Sequence, residues 1–490
     1  MQRSSGVLMH ISSLYGDHSI GSFGKSARAF VDFLADSGFS YWQTLPFCMA
    51  DVCNSPYKSY SAFSLNPYFI DLEILCEKGY LSTREIGEAE QKTPYTCEYA
   101  RLASERFALL AKASLYAPKD KVKAFIDAHP HIARFCEFMA LKEANGFTEW
   151  TRWTKKTYDE NVLFAWQFMQ YEFFVQWMEI KAYANERGIR IIGDMPMFVD
   201  YDSSDVYFDK KSFMLDEEGK PKSVAGVPPD YFSEDGQLWG NPHYDWNEMK
   251  KDGFSWWKAR FEHMLTLFDG VRIDHFRGLS TYYSIPYGAE NARKGKWLKA
   301  KGKEMLDAVR PITEGKLMIA EDLGDIDAAV EKLVERSGFP GMRVMQFGYS
   351  SDEDSIHRTH NYVNGCVAYT GTHDNNTMLG NVWELSEEDR QRLFAYCGYK
   401  GDLQGDYMDA IIRTLFASSA GLVILPIQDI LGFGADTRMN TPGKPDGNWE
   451  FRITKENLDS IDRAKYKALN RLYNRLAPEP EDEGEEETEA

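Results

Sequence analysis

Gly270-Val271-Arg272-Ile273-Asp274-His275-Phe276-Arg277-Gly278 joins a short β-branched run to a cluster of charge. The run 270–276 predicts a strand, and Asp274 falls at its C-terminal end. Seven further short apolar runs lie along the 490 residues, at 6–14, 41–47, 190–198, 316–323, 342–347, 366–372 and 422–427. Helical periodicity follows several of them, as at 27–34 and 326–336. A longer helical stretch, about 164–187, stops at Gly188, a glycine suited to the left-handed residue that ends many helices. Eight β units with helices between them predict an α/β fold, a (β/α)₈ barrel. The rival is a doubly wound open sheet. No GxGxxG follows the first strand and no GxxxxGK[ST] occurs, so nucleotide binding has no support.

The spacing is uneven. A long insertion, about 48–162, separates the second and third strands, and its second half (97–145) reads as helical. A second, loop-like insertion, 200–268, separates the third and fourth. Loops after barrel strands build the active-site face, so both insertions are expected to wall the same mouth. The catalytic unit is expected to span 1–476, leaving 477–490 as a disordered, solvated tail that holds eight acids.

Four acids sit at or just past strand ends: Asp194 after the third, Asp274 after the fourth, Glu321 after the fifth and Asp374 after the seventh. An acid at a strand end is often only a turn former or helix cap. Four in one barrel, three of them beside Arg or His, favour chemistry instead. Arg272 and Asp274 are two apart and share a strand face, and a guanidinium there keeps a carboxylate ionised, as a nucleophile requires. His275 and His373 each adjoin an acid. Paired carboxyl groups, one ionised and one protonated, suit glycoside chemistry. Metal chemistry is the competing use of such clusters, but no HExxH motif or EF-hand loop is present and the histidines are few and dispersed, so no metal is expected, and paired-carboxylate glycoside chemistry needs no cofactor.

Composition narrows the partners. A formal charge of −19 disfavours nucleic acid, whose phosphates need a basic patch. No stretch approaches the ~20 apolar residues of a membrane span, and no signal-peptide core opens the chain. Seven cysteines, an odd number without a CxxC pair, point to reduced thiols in the cytoplasm. Aromatic content of 14% offers faces for sugar rings, although aromatics also fill cores.

The segments Val271–Gly278, Ala320-Glu321-Asp322-Leu323-Gly324 and Gly371-Thr372-His373-Asp374 resemble the catalytic set of the α-amylase clan. Others narrow the resemblance to the amylomaltase, or 4-α-glucanotransferase, family, glycoside hydrolase family 77. They are Ser55-Pro56-Tyr57, Gly193-Asp194-Met195-Pro196, Pro228-Pro229-Asp230-Tyr231-Phe232-Ser233, Gln237-Leu238-Trp239-Gly240-Asn241-Pro242, and Arg438-Met439-Asn440-Thr441-Pro442-Gly443 with Asn448-Trp449. The resemblance implies that Asp274 is a nucleophile, Glu321 a general acid/base and Asp374 a third carboxylate gripping the sugar. It places Tyr57, Asp194, Asp230, Gln237, Trp239, Arg272, His275, His373 and Asn448 around the substrate. It implies a retaining transfer between maltooligosaccharides, starch or glycogen-type glucans, with Asp274 and Glu321 ~5–5.5 Å apart, and no separate C-terminal β-domain. The segment 48–54 departs from the glycine-rich pattern common in the family, near its secondary glucan-binding surface. A hydrolase would use the same three carboxylates, and a non-catalytic glucan-binding protein would not need to keep all three.

Overall fold

The computed structural model describes residues 1–229, 234–349, 354–444 and 446–476. Eight strands follow the expected runs: β1 (Ser4–Leu8), β2 (Tyr41–Gln43), β3 (Arg190–Met195), β4 (Gly270–Ile273), β5 (Leu317–Ala320), β6 (Gly341–Val344), β7 (Cys366–Tyr369) and β8 (Leu422–Pro426). They form a closed barrel in that order, β8 returning to β1, and every neighbouring pair is parallel. Strands of such a barrel are covered on both faces, which is why they read as nearly unbroken apolar runs rather than alternating ones. β4, β7 and β8 are buried along their whole lengths.

Helices pack outside this sheet by the same logic. Helix Lys25–Asp36 turns Phe30, Val31, Phe33 and Leu34 inward. Helix Glu160–Glu186 begins where the Asp159 carboxylate accepts the Asn161 N–H, and the chain leaves it through Gly188 at φ 73°. Midway along it, Trp177 packs edge-on against Phe47 and donates its indole N–H to the Leu267 carbonyl. The first strand meets Arg475, near the last described residues, at the base of the barrel. There the buried Arg475 guanidinium donates to the carbonyls of Ser4, Phe416 and Ser418.

Both long insertions rise from the strand C-terminal ends. The first is helical in its second half, including helices Lys119–Ala128 and Pro130–Ala144. The second differs from the loop expected at 200–268. Strands Ser223–Val227 and Gln237–Pro242 pair there, and Thr281–Pro286 and Lys296–Lys299, which follow β4, complete a four-stranded antiparallel sheet. After β8 the described residues contain only short helices and loops and no strand, so there is no C-terminal β-domain among them. The acidic segment 477–490 lies outside the described residues.

Gly193 of β3 shows how tightly the barrel meets its covering aromatics. A Cβ there would lie 2.2 Å from the ring of Phe268, which is buried against Trp177 and Phe47. Gly193→Ala is therefore expected to lose about 1–3 kcal/mol of unfolding free energy, the usual cost of overpacking. Urea titration followed by tryptophan fluorescence measures it.

Candidate active site

The register of the barrel sets Asp194 of β3 directly beside Arg272 of β4. Both side chains are buried, and Arg272 Nη1 donates to the two oxygens of Asp194, at 2.8 Å each. The same nitrogen lies 3.0 Å from Oδ1 of Asp274, the first residue past β4. Burial works against the charge on Arg272, but Asp194 and Asp274 overcome it and hold the guanidinium firmly protonated. Burial also pushes the Asp194 carboxyl above its ordinary range, with Arg272 opposing. Tyr57 arrives from the first insertion and donates its hydroxyl to Asp194 at 2.6 Å. Burial raises that phenol well above its usual value, so it remains a donor.

Glu321 follows β5 and is gripped by main chain. Its Oε2 accepts the His275 N–H at 2.7 Å and its Oε1 accepts the Leu323 N–H at 2.9 Å. The first of these bonds requires the unusual backbone of His275, a non-glycine residue at φ 44°. Desolvation raises the Glu321 carboxyl to about 7; Arg272 pulls against the rise and Asp274 adds to it. The His275 ring is held neutral by burial, at about 4, and stands edge-on to Trp239, 5.0 Å between centroids. Trp239 in turn donates its indole N–H to the Gln237 side chain.

Asp374 comes from the loop after β7. Burial alone would raise its carboxyl, but His373, 3.4 Å away, and the Asn440 amide, 2.6 Å away, hold it well below the carboxylate range. Burial lowers His373 in the opposite sense, and Asp374 reverses that into a net rise. The His373 ring is stacked on Tyr57, 5.0 Å between centroids and 13° between planes, and Trp449 closes against both rings.

Asp194, Arg272, Asp274, His275, Glu321, His373, Asp374, Tyr57 and Trp239 thus share one rim of the barrel. Asn448 stands apart from the carboxylates. Its side chain accepts the Thr441 N–H and donates to the Lys444 carbonyl, closing its own loop. The carboxamide that reaches an acid is that of Asn440, and Arg438 donates to the Asp374 carbonyl beside it. Neither residue had a charge at a strand end to mark it, although both fall in the Arg438–Gly443 segment. Asp230 lies outside the described residues. Among the described residues no group of three or more His, Cys, Asp or Glu side chains is arranged to hold a metal ion. All seven cysteines are free thiols, and no described helix is long and apolar enough to cross a membrane.

A parallel barrel with carboxylates gathered at its C-terminal rim, one salt-bridged and one raised to about 7, defines a class: barrel enzymes acting on glycosidic bonds. Comparison with known proteins gives the member of that class. Residues 9–457 match the family model Glyco_hydro_77, described as 4-alpha-glucanotransferase. The chain belongs to this family, and 4-α-glucanotransferase is its activity. A 4-alpha-glucanotransferase of Synechocystis sp. is 40% identical over 498 residues, covering 97% of this chain and 98% of the relative. One from Thermus thermophilus is 39% identical, with 97% and 100% covered. An amylomaltase from Streptococcus agalactiae, solved in complex with acarbose, superposes with a TM-score of 0.93 at 37% identity, over 97% of this chain and 100% of that one.

The buried ion pair can be tested apart from turnover. Arg272→Met strands Asp194 without its counter-charge and is expected to cost about 3–5 kcal/mol of unfolding free energy. Adding Asp194→Asn should recover part of that loss, so urea titrations of the two single variants and the double variant should be clearly non-additive.

Proposed function

We propose that Asp274 and Glu321 carry out a double displacement on α-1,4-glucans, Asp274 as nucleophile and Glu321 as acid and then base. The observation that supports this most directly is the contrast between the two. Asp274 is paired with Arg272, whereas desolvation leaves Glu321 titrating near neutrality. In the first step the Glu321 proton moves to the glycosidic oxygen and the C1–O4 bond breaks. A carboxylate oxygen of Asp274 bonds to C1, and the reducing-end fragment leaves as an alcohol. In the second step the 4-hydroxyl of an acceptor glucose or maltooligosaccharide gives its proton to Glu321 and bonds to C1. The C1–Asp274 bond breaks, and two inversions restore the starting configuration.

The surrounding groups suit a bound sugar. Asp374, ionised and oriented by Asn440 beside His373, would accept hydroxyl hydrogens from the ring at C1. Tyr57, stacked on His373, and Trp239, set against His275, supply aromatic surface, and Gln237 orients Trp239. Gln237 and Trp239, within the 224–242 segment, would shield the acceptor side from water, which favours transfer over hydrolysis, and Asp230, outside the described residues, remains a proposed substrate-binding residue. Asn448 contributes by shaping the turn that carries Trp449. Starch or glycogen-type glucans serve as donors, and the free thiols fit a cytoplasmic, reducing setting.

Incubation with maltotriose is expected to give glucose plus a ladder of longer oligosaccharides with little net gain in reducing ends. A steady rise in reducing ends would instead mark a hydrolase. Asp274→Asn should lower kcat by at least about a thousandfold while leaving the fold intact, and substantial residual turnover would remove Asp274 from its role. The sign of the pH dependence follows from Glu321. Its folded value is raised to about 7, so the proton needed in the first step is present below that pH and lost above it. The kcat/KM profile should therefore fall as pH rises through about 7.

A further inference from the structure

Three residues beyond Asp274, Arg277 makes a set of contacts that the chemistry above does not use. Its side chain is buried, and its guanidinium carbon sits 4.0 Å over the ring of Trp297. Nη1 donates to the Asp325 carbonyl, and Nη2 donates to Asp327 Oδ2 at 3.2 Å. Asp327 is itself fixed, because its other oxygen accepts the Ala329 and Val330 N–H groups at the start of helix Ala328–Ser337. One planar cation therefore ties together the segment after β4, the segment after β5 and an edge strand of the small antiparallel sheet.

The segments after β4 and β5 are already laced near the carboxylates. Phe276 N–H donates to the Glu321 carbonyl at 3.1 Å, and His275 N–H donates to the Glu321 side chain. Arg277 is the next rung outward, on the far side of Leu323, whose N–H holds the other Glu321 oxygen. From these contacts we infer that Arg277, seated over the ring of Trp297, is a positioning residue for Glu321, locking the 321–327 segment so that both backbone N–H groups stay aimed at the acid/base carboxyl. Through Trp297 the same clasp joins Glu321 to the sheet that carries Trp239 against His275. A lysine replaces it only in part: its ammonium can donate, but it has neither the widely spaced donors of the guanidinium fork nor a planar face to set over an indole.

This inference rests on Glu321 being the acid/base, so the experiment separates the two. Glu321→Ala comes first; if it keeps wild-type turnover of maltotriose, the reading of Glu321 fails whatever Arg277 does. With Glu321→Ala inactive, Arg277→Met and Arg277→Lys are compared by steady-state kinetics across pH. The expected result is a fall in kcat of about 10–100-fold with KM within about threefold, since a misplaced catalytic group costs rate more than binding. The groups facing Glu321 are Arg272 and Asp274 from the end of β4, the His275 N–H beside them, and Leu323 N–H and Asp322 on its own segment. Loosening the two N–H bonds removes stabilisation of the carboxylate, so the alkaline limb of kcat/KM should move to higher pH. Lysine should restore less than half of the lost rate. Should Arg277→Met not fold, Asp327→Asn, which keeps a good helix cap, and the half-exposed Trp297→Ala carry the test, with smaller shifts in the same direction expected. Folded variants with kcat within twofold of wild type and an unmoved alkaline limb overturn the inference.

Discussion

The guanidinium of Arg272 lies inside the barrel rim between Asp194 and Asp274, and its neighbours are arranged around that charge. A buried cation without partners would cost several kcal/mol, so β3 and β4 must stand in a register that brings Asp194 alongside it. That register also points Asp274 toward the cleft. Tyr57 then completes the coordination of Asp194, and its ring carries the link onward to His373 and Trp449. A chain of contacts thus runs from β3 to the segments after β7 and β8 without leaving the rim.

The long insertions supply what the eight strands cannot. The first insertion brings Tyr57, and the four-stranded sheet brings Trp239 against the ring of His275. His275 has two distinct duties. Its strained backbone points an N–H at Glu321, while its neutral ring forms the wall on which Trp239 rests. The carboxylates stand at or just past the barrel strand ends, while Tyr57 and Trp239 are carried on inserted elements that can differ without disturbing them.

The barrel was legible because each of its strands is covered on both sides and so reads as an apolar run. Asp194, Asp274, Glu321 and Asp374 were legible because a charge ending such a run is conspicuous. The antiparallel sheet was not. Lys296–Lys299 is mostly exposed, and Ser223–Val227 finds a partner in Thr281–Pro286 only across the whole of β4. No local pattern announces pairing between separate insertions. The same holds for Asn440, which reaches Asp374 from 66 residues further along the chain and bears no charge to draw notice. Asn448 shows the converse, since its motif is distinctive but its amide is occupied in closing a turn.

The clamp of Arg475 on the carbonyls of Ser4, Phe416 and Ser418, together with the β1–β8 pairing, makes the first strand wait for the last. On the ribosome, the seven other barrel strands have emerged before β8 exists to seal the seam, and the clamp itself is among the final described residues to appear. Until then β1 and β7 are open edges able to pair with a neighbouring nascent chain, so this architecture leaves its seam exposed to misassembly until synthesis is nearly complete.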